Sequence, residues 1–248
     1  MARVLRDEVA EYLDEFLSVG EFVDYGPNGI QVEGAEEISR LVTGVSASVA
    51  LFREAVRREA DAILVHHGIF WDRDSRVLRG GLRERVRILL ENDITLWAYH
   101  LPLDRHPVVG NNAVAGRLLG LRDPVGFGEV GVAGAVDSLS IGELSARVRD
   151  VFGREPLVFD SGPSRIRRVG FCSGAAQGSV AAAISAGLDA YITGEVSLPV
   201  MHAAREGSIH FLAAGHYATE VPGITALGDN LRERFGMEVE FVDIPNPV

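Results

Sequence analysis

Cysteine is almost missing from the 248 residues: one occurs, Cys172. That excludes an internal disulfide and any cysteine-rich zinc site, and it suits a reducing, cytoplasmic address. Cys172 sits in the run Val169-Gly170-Phe171-Cys172 and reads as a small buried apolar side chain. Long apolar runs are missing too. No window approaches the roughly 18 uninterrupted apolar residues of a membrane span, and Arg3, Arg6, Asp7 and Glu8 occupy the place where a secretory signal carries its apolar stretch. We therefore expect a soluble protein with no membrane partner. Positive charge is also short: 24 Lys and Arg against 35 Asp and Glu leave a net charge of -11. Such a balance argues against nucleic acid as a partner, because its recognition usually needs a basic face. The arginines from Arg73 to Arg87 and Arg165 to Arg168 read as solvated helix faces or partner contacts rather than as an anion site. No GxxxxGK[ST] phosphate loop occurs, and the glycines from Gly174 to Gly178 are a weak substitute for one.

What the chain does have is apolar content, 47%, enough for a sizeable core. Val9, Leu13, Phe16 and Leu17 recur at helical spacing, so an amphipathic helix is expected over Val4 to Leu17. Asp24-Tyr25-Gly26-Pro27-Asn28-Gly29 then breaks it with turn formers, and Ile30-Gln31-Val32 looks like a short strand.

A weak internal repeat follows. Leu41 to Ser46, a helical stretch around Ala50 to Ala55, and Ala60 to His67 are echoed by Arg168 to Ser173, a helical stretch around Val180 to Ile184, and Leu188 to Glu195. Each half continues through another helical stretch into a third apolar strand, Ile94 to Tyr99 and Ile209 to Ala214. Continuous apolar strands alternating with helices indicate parallel sheet covered on both faces. Further strands are expected near Val130 to Val136, Leu157 to Phe159 and Glu238 to Asp243. The expected fold is α/β: two similar, interlocked lobes whose mostly parallel or mixed sheets are covered by helices, with the site between the lobes at strand ends. The boundary falls in the segment from Gly120 to Gly134, dividing 1–125 from 126–248.

In open α/β sheets ligands gather at the carboxyl ends of the strands, and there this chain places its most informative side chains. His66 and His67 end one strand; adjacent strand residues face opposite ways, and Gly68 permits a turn that would bring both to one site. His100 and Asp104 are separated by Pro102, which biases Leu101 away from helix and suggests an extended turn. A helix starting near Gly215 would put His216 and Glu220, four apart, on one face. Imidazole and carboxylate without thiolate suit zinc, iron or manganese, and two adjacent ions are a recurrent hydrolytic arrangement. His106, His202 and His210 read as ordinary core or surface histidines.

At these residues the chain resembles a known family, the dinuclear-metal hexamers called GTP cyclohydrolase I type 2 homologues. The resemblance spans nearly the whole length. It rests on Asn28 to Val32, Val65-His66-His67-Gly68-Ile69-Phe70-Trp71, Tyr99 to Asp104 with Gly110-Asn111-Asn112, Thr193-Gly194-Glu195, and Gly215 to Glu220. It implies that His66, His67, Asp104, His216 and Glu220 hold two divalent ions per chain, one carboxylate bridging, with His100 beside them. It also implies a ring-shaped homohexamer. Asp72, after Phe70-Trp71, departs from the pattern and bears on substrate contacts.

Two functions follow as expectations. One is a metal-dependent hydrolase acting on a small molecule, a nucleotide or similar ring amide, with His100 shuttling a proton and Glu195, at the repeat position of His67, as base or substrate contact. The other is a non-enzymatic metal-binding scaffold or regulatory partner. An open coordination position, which five protein ligands shared by two ions would leave, favours the enzyme.

Overall fold

The computed structural model describes residues 2–75 and 77–248, so Arg76 of the expected arginine run lies outside the described residues. Along the chain come β1 (Val4–Leu5), α1 (Arg6–Phe16), β2 (Gly29–Val32), β3 (Glu37–Ile38), β4 (Arg40–Ser46), α2 (Val49–Arg57), β5 (Ala62–His67), α3 (Gly80–Glu91), β6 (Thr95–Ala98) and α4 (Leu101–Arg105). Then follow α5 (Asn111–Leu118), β7 (Arg122–Phe127), β8 (Gly131–Leu139), α6 (Ile141–Phe152), β9 (Leu157–Phe159), β10 (Ile166–Cys172), α7 (Val180–Ser185), β11 (Ala190–Thr193), α8 (Leu198–Glu206), β12 (His210–Ala213), α9 (His216–Phe235) and β13 (Glu238–Phe241).

These elements form two compact units, Met1–Leu103 with Ile224–Ile244, and Asp104–Gly223 with Pro245–Val248. The expected division at 125/126 falls instead inside β7, a strand of the second unit, and Asp104 belongs to that unit rather than to the first. The Gly-rich composition around Gly120 to Gly134 reflects a β7–β8 hairpin, not a linker.

The first unit holds, among the described residues, a sheet in the order β13-β4-β5-β6-β2, parallel from β13 to β6 with β2 antiparallel at the edge. Its central strand β5 is an uninterrupted apolar run from Ala62 to Val65, as a strand buried on both faces requires. Helix α2 starts where the Ser48 hydroxyl accepts from Leu51 N at 3.2 Å, and it turns Leu51, Phe52 and Ala55 into the core.

The second unit's sheet runs β7-β8-β10-β11-β12-β9; β10, β11 and β12 are parallel, and β8 and β9 run antiparallel to their neighbours. Alternating residues feed two cores. Phe171, Ile192 and Leu212 join one cluster, and Cys172, Tyr191 and Phe211 the other. Helix α6 opens with a reciprocal Ser140–Glu143 capping box and closes on Gly153 at φ 70°.

The segment after His100 differs from expectation. Leu101–Arg105 is one turn of helix, not an extended turn. Pro102 stands second in it, where a backbone N–H has no helical partner and a fixed φ costs nothing.

Candidate metal centre

In the first unit, β5 and β6 end side by side and deliver His66, His67 and His100 to one place. Their ring centroids lie 4.6 Å (His66–His67), 5.0 Å (His66–His100) and 5.5 Å (His67–His100) apart. One ligand atom from each lies within 4.8 Å of the other two. His66 is fully buried. Its Nδ1 lies 3.0 Å from the Tyr99 carbonyl, which only accepts, so Nδ1 carries a proton there and Nε2 is the nitrogen left for a ligand. His67 Nδ1 lies 3.2 Å from the Ser46 hydroxyl, and His100 Nδ1 lies 2.7 Å from Asp24 Oδ1. Trp71 packs against His67 at 5.8 Å and stands edge-on to His100 at 5.1 Å. Gly68 is not in the left-handed region; it is needed because a Cβ would meet the Gln31 side-chain amide at 2.3 Å, and that amide accepts from Ile69 N at 2.8 Å.

Asp24 is the residue that sequence reasoning passed over. Burial alone would raise its carboxyl, but hydrogen bonds from His100, Asn28 and the Tyr25 backbone outweigh that and hold it down to about 2. A lone Asp opening a turn gives no signal by itself; only its place in the fold does.

In the second unit, the first turn of α9 puts His216 Nε2 3.1 Å from Glu220 Oε1, as the four-residue spacing anticipates. His216 Nδ1 lies 2.6 Å from Glu195 Oε1, so Glu195 orients an imidazole. Burial lowers the His216 pKa, yet the two carboxylates outweigh it and raise it to about 9. Gly174, at φ +65°, faces the pair: a Cβ there would lie 2.6 Å from Glu220 Oε1 and 3.2 Å from His216 Nε2. Asp104, 5% exposed, accepts at Oδ1 from Asn111 Nδ2 and from the Ser173 hydroxyl, both at 2.9 Å. Asn112 donates to the Asp104 carbonyl and accepts from Ser173 N. Ser173 was another residue without a signal in the sequence.

This donor set fits a divalent ion. Each unit taken by itself holds imidazole Nδ1 atoms beside separate oxygens, from Tyr99, Ser46 and Asp24 in the first and from Glu195 in the second, which leaves Nε2 for a ligand. Ligating histidines are held in this way in metal sites. The other histidines are local: His106 Nδ1 accepts from Val108 N and Val109 N, His210 Nε2 donates to the Pro163 carbonyl, and His202 is exposed. Cys172 is buried, and burial pushes its thiol up to about 12, so it carries no chemistry. Of the arginines, Arg87 pairs with Glu84 on a solvated helix face, whereas Arg165 to Arg168 lie at the start of strand β10 rather than on a helix, with Arg165 beside Glu143.

The mixed α/β fold of this chain has counterparts among known proteins. Residues 4–247 match the family described as Duf34/NIF3 (NGG1p interacting factor 3), and the chain belongs to that family. It is 46% identical over 245 residues to the GTP cyclohydrolase 1 type 2 homolog of Pseudomonas aeruginosa, covering 96% of this chain and 97% of that one. Among solved structures, protein ybgI, described as of unknown function, is 45% identical with a TM-score of 0.96, covering 99% of this chain and all of the other. TTHA1606 from Thermus thermophilus is 34% identical with a TM-score of 0.93, again over 99% of this chain and all of that one.

Proposed function

We propose that this protein binds two divalent metal ions per chain, of zinc, iron or manganese, through His66, His67, Asp104, His216 and Glu220, and is a metal-dependent hydrolase. The observation that supports the reading is the gathering of one ligand atom each from His66, His67 and His100 within 4.8 Å of one another, with each Nδ1 held by a separate oxygen as in metal ligation. When bound, such ions polarise an electrophile and lower the pKa of water. The chain's own groups supply the rest. His100, 20% exposed at its side chain, takes up or delivers a proton at Nε2. Glu195 holds His216, and Asn111 and Ser173 hold Asp104 in one orientation. A nucleotide or similar ring amide is the substrate class, on the strength of the name the relatives carry.

The protein works as a cytoplasmic homohexamer in this reading. Exposed Leu198, Val125 and Leu157, at 85%, 64% and 50%, offer apolar area for contacts between copies. Among the described residues no helix is long and apolar enough to cross a membrane.

Elemental analysis of untagged protein prepared without chelators tests the reading. About two ions of one reproducible element per chain, with at least one lost in Glu220→Gln while the circular dichroism stays unchanged, is the expected result. No ion under any metal supply defeats it.

A further inference from the structure

His100 is held on its backbone and on its ring by one loop, through Asn28 and Asp24. Asp24 lies 76 residues away in sequence, and its side chain is 3% exposed. Both oxygens are fully used: Oδ1 accepts from Tyr25 N and His100 Nδ1, each at 2.7 Å, and Oδ2 accepts from Asn28 Nδ2 at 3.0 Å and Leu101 N at 2.9 Å. Asn28 closes the clamp by accepting from His100 N at 2.7 Å. The loop is itself pinned, since Asp72 N donates to the Tyr25 carbonyl at 2.8 Å and a Cβ on Gly26 would meet the Phe70 carbonyl at 2.4 Å. An ionised carboxylate only accepts, so the proton in the Asp24–His100 contact sits on Nδ1.

We propose that Asp24 is a positioning residue for the proton-transfer group of this site: it fixes His100 as the Nδ1–H tautomer and so presents Nε2 to His66 and His67. The importance of that orientation rests on the metal-dependent hydrolase reading; the tautomer itself does not. An isosteric Asn at position 24 can turn its amide N–H toward Nδ1, which then has to accept, and the wrong nitrogen carries the proton. Loss of the correct tautomer by that exchange is how the corresponding substitution disables a serine-protease triad.

Long-range proton–nitrogen spectra of the full chain, metal-free and labelled at its histidines with nitrogen-15, test this. In the wild type His100 shows a protonated Nδ1 and a bare Nε2. In Asp24→Asn the major population reverses, while the His66 and His210 signals stay in place and report an intact fold. A wild-type His100 protonated at Nε2, or an Asn variant that folds and keeps the wild-type tautomer, overturns the proposal. Should Asp24→Asn not fold, the wild-type spectrum decides, and Asn28→Ala, which leaves the Asp24–His100 contact in place, is expected to retain the Nδ1–H form. A zinc titration read in the same spectra separates the two ideas: unmoved His66, His67 and His216 signals defeat the metal reading whatever the His100 tautomer.

Discussion

The two units contain the same three-stranded parallel core, β4-β5-β6 in one and β10-β11-β12 in the other, and they agree at one end and part at the other. At the amino ends an aspartate opens the middle strand in both. Asp61 accepts from Ser39 N and Arg40 N, each at 2.8 Å; Asp189 accepts from Arg167 N at 2.7 Å and Arg168 N at 2.9 Å. Their own amides donate to the Arg40 and Arg168 carbonyls, both at 2.9 Å. At the carboxyl ends the equivalence of frame carries different chemistry. His66 and His67 correspond to Gly194 and Glu195, and Ser46, which touches an imidazole, corresponds to Gly174, against which His216 and Glu220 pack. One unit brings its imidazoles on or just after its strands; the other clears its strand ends so that a helix can bring His216 and Glu220.

Breaking that clearance should have the largest effect. A Cβ on Gly194 would lie 2.6 Å from the Gly174 carbonyl and from His216 Cα, and 2.8 Å from His216 N. Backbone cannot step aside as a side chain can, so Gly194→Ala is expected to lose about 3 kcal/mol, measured by denaturant unfolding. Gly68→Ala in the first unit meets only the end of Gln31 and should lose much less. Equal losses would mean that the two strand ends are not built differently.

The second contrast is electrostatic. His216 lies between two carboxylates with a pKa of about 9, so below that pH a proton occupies the nitrogen a metal ion requires. Metal affinity of the second unit's ligands should therefore climb about tenfold per pH unit from 7 toward 9 and level off above it. Calorimetry in buffers of differing ionisation enthalpy should find close to one proton released from this residue at pH 7. Binding that ignores pH over that range would remove His216 from the site.

The smallest effect tests the shared frame. Asp61→Ala and Asp189→Ala each strip a carboxylate from two backbone N–H groups, and each should cost about 2 kcal/mol. Asp61→Ala should cost slightly more, because the Ser39 hydroxyl also donates to Asp61 at 2.8 Å. A large cost in one unit and none in the other would show that the equivalence is only in outline.

Much of this was legible in the residues. The apolar runs from Ala62 to Val65 and Ala190 to Ile192 announced buried parallel strands, and the four-residue interval between His216 and Glu220 placed both on one helical turn. The repeat was visible, though the hydrogen bonds align Arg40 with Arg168, one residue before the run that begins at Leu41. Three things were hidden. The helix over Leu101–Arg105 depends on where in the turn Pro102 falls, and the unit boundary depends on chain returning from residue 224 onward to complete the first sheet. The partners of the histidines, Asp24, Ser46 and Tyr99, lie 76, 21 and 33 residues from the rings they touch. Periodicity reports neighbours within an element, and these contacts exist only after strands from distant parts of the chain have paired.

The place of β2 has a kinetic side. It is one of the two edge strands of its sheet, paired among the described residues with β6 and carrying a register shift between Ile30 and Val32. Edges open at lower free energy than centres. Fraying of β2 should loosen the Asn28 end of the loop that precedes it, beyond the hold of Asp72 on Tyr25, while His66 and His67, on the central strand, should keep their places. The expectation is a cluster graded in time, with two imidazoles persisting as long as the sheet does and the third set only while its edge is closed. Amide exchange at Gln31, faster than at Leu64, would mark that interval.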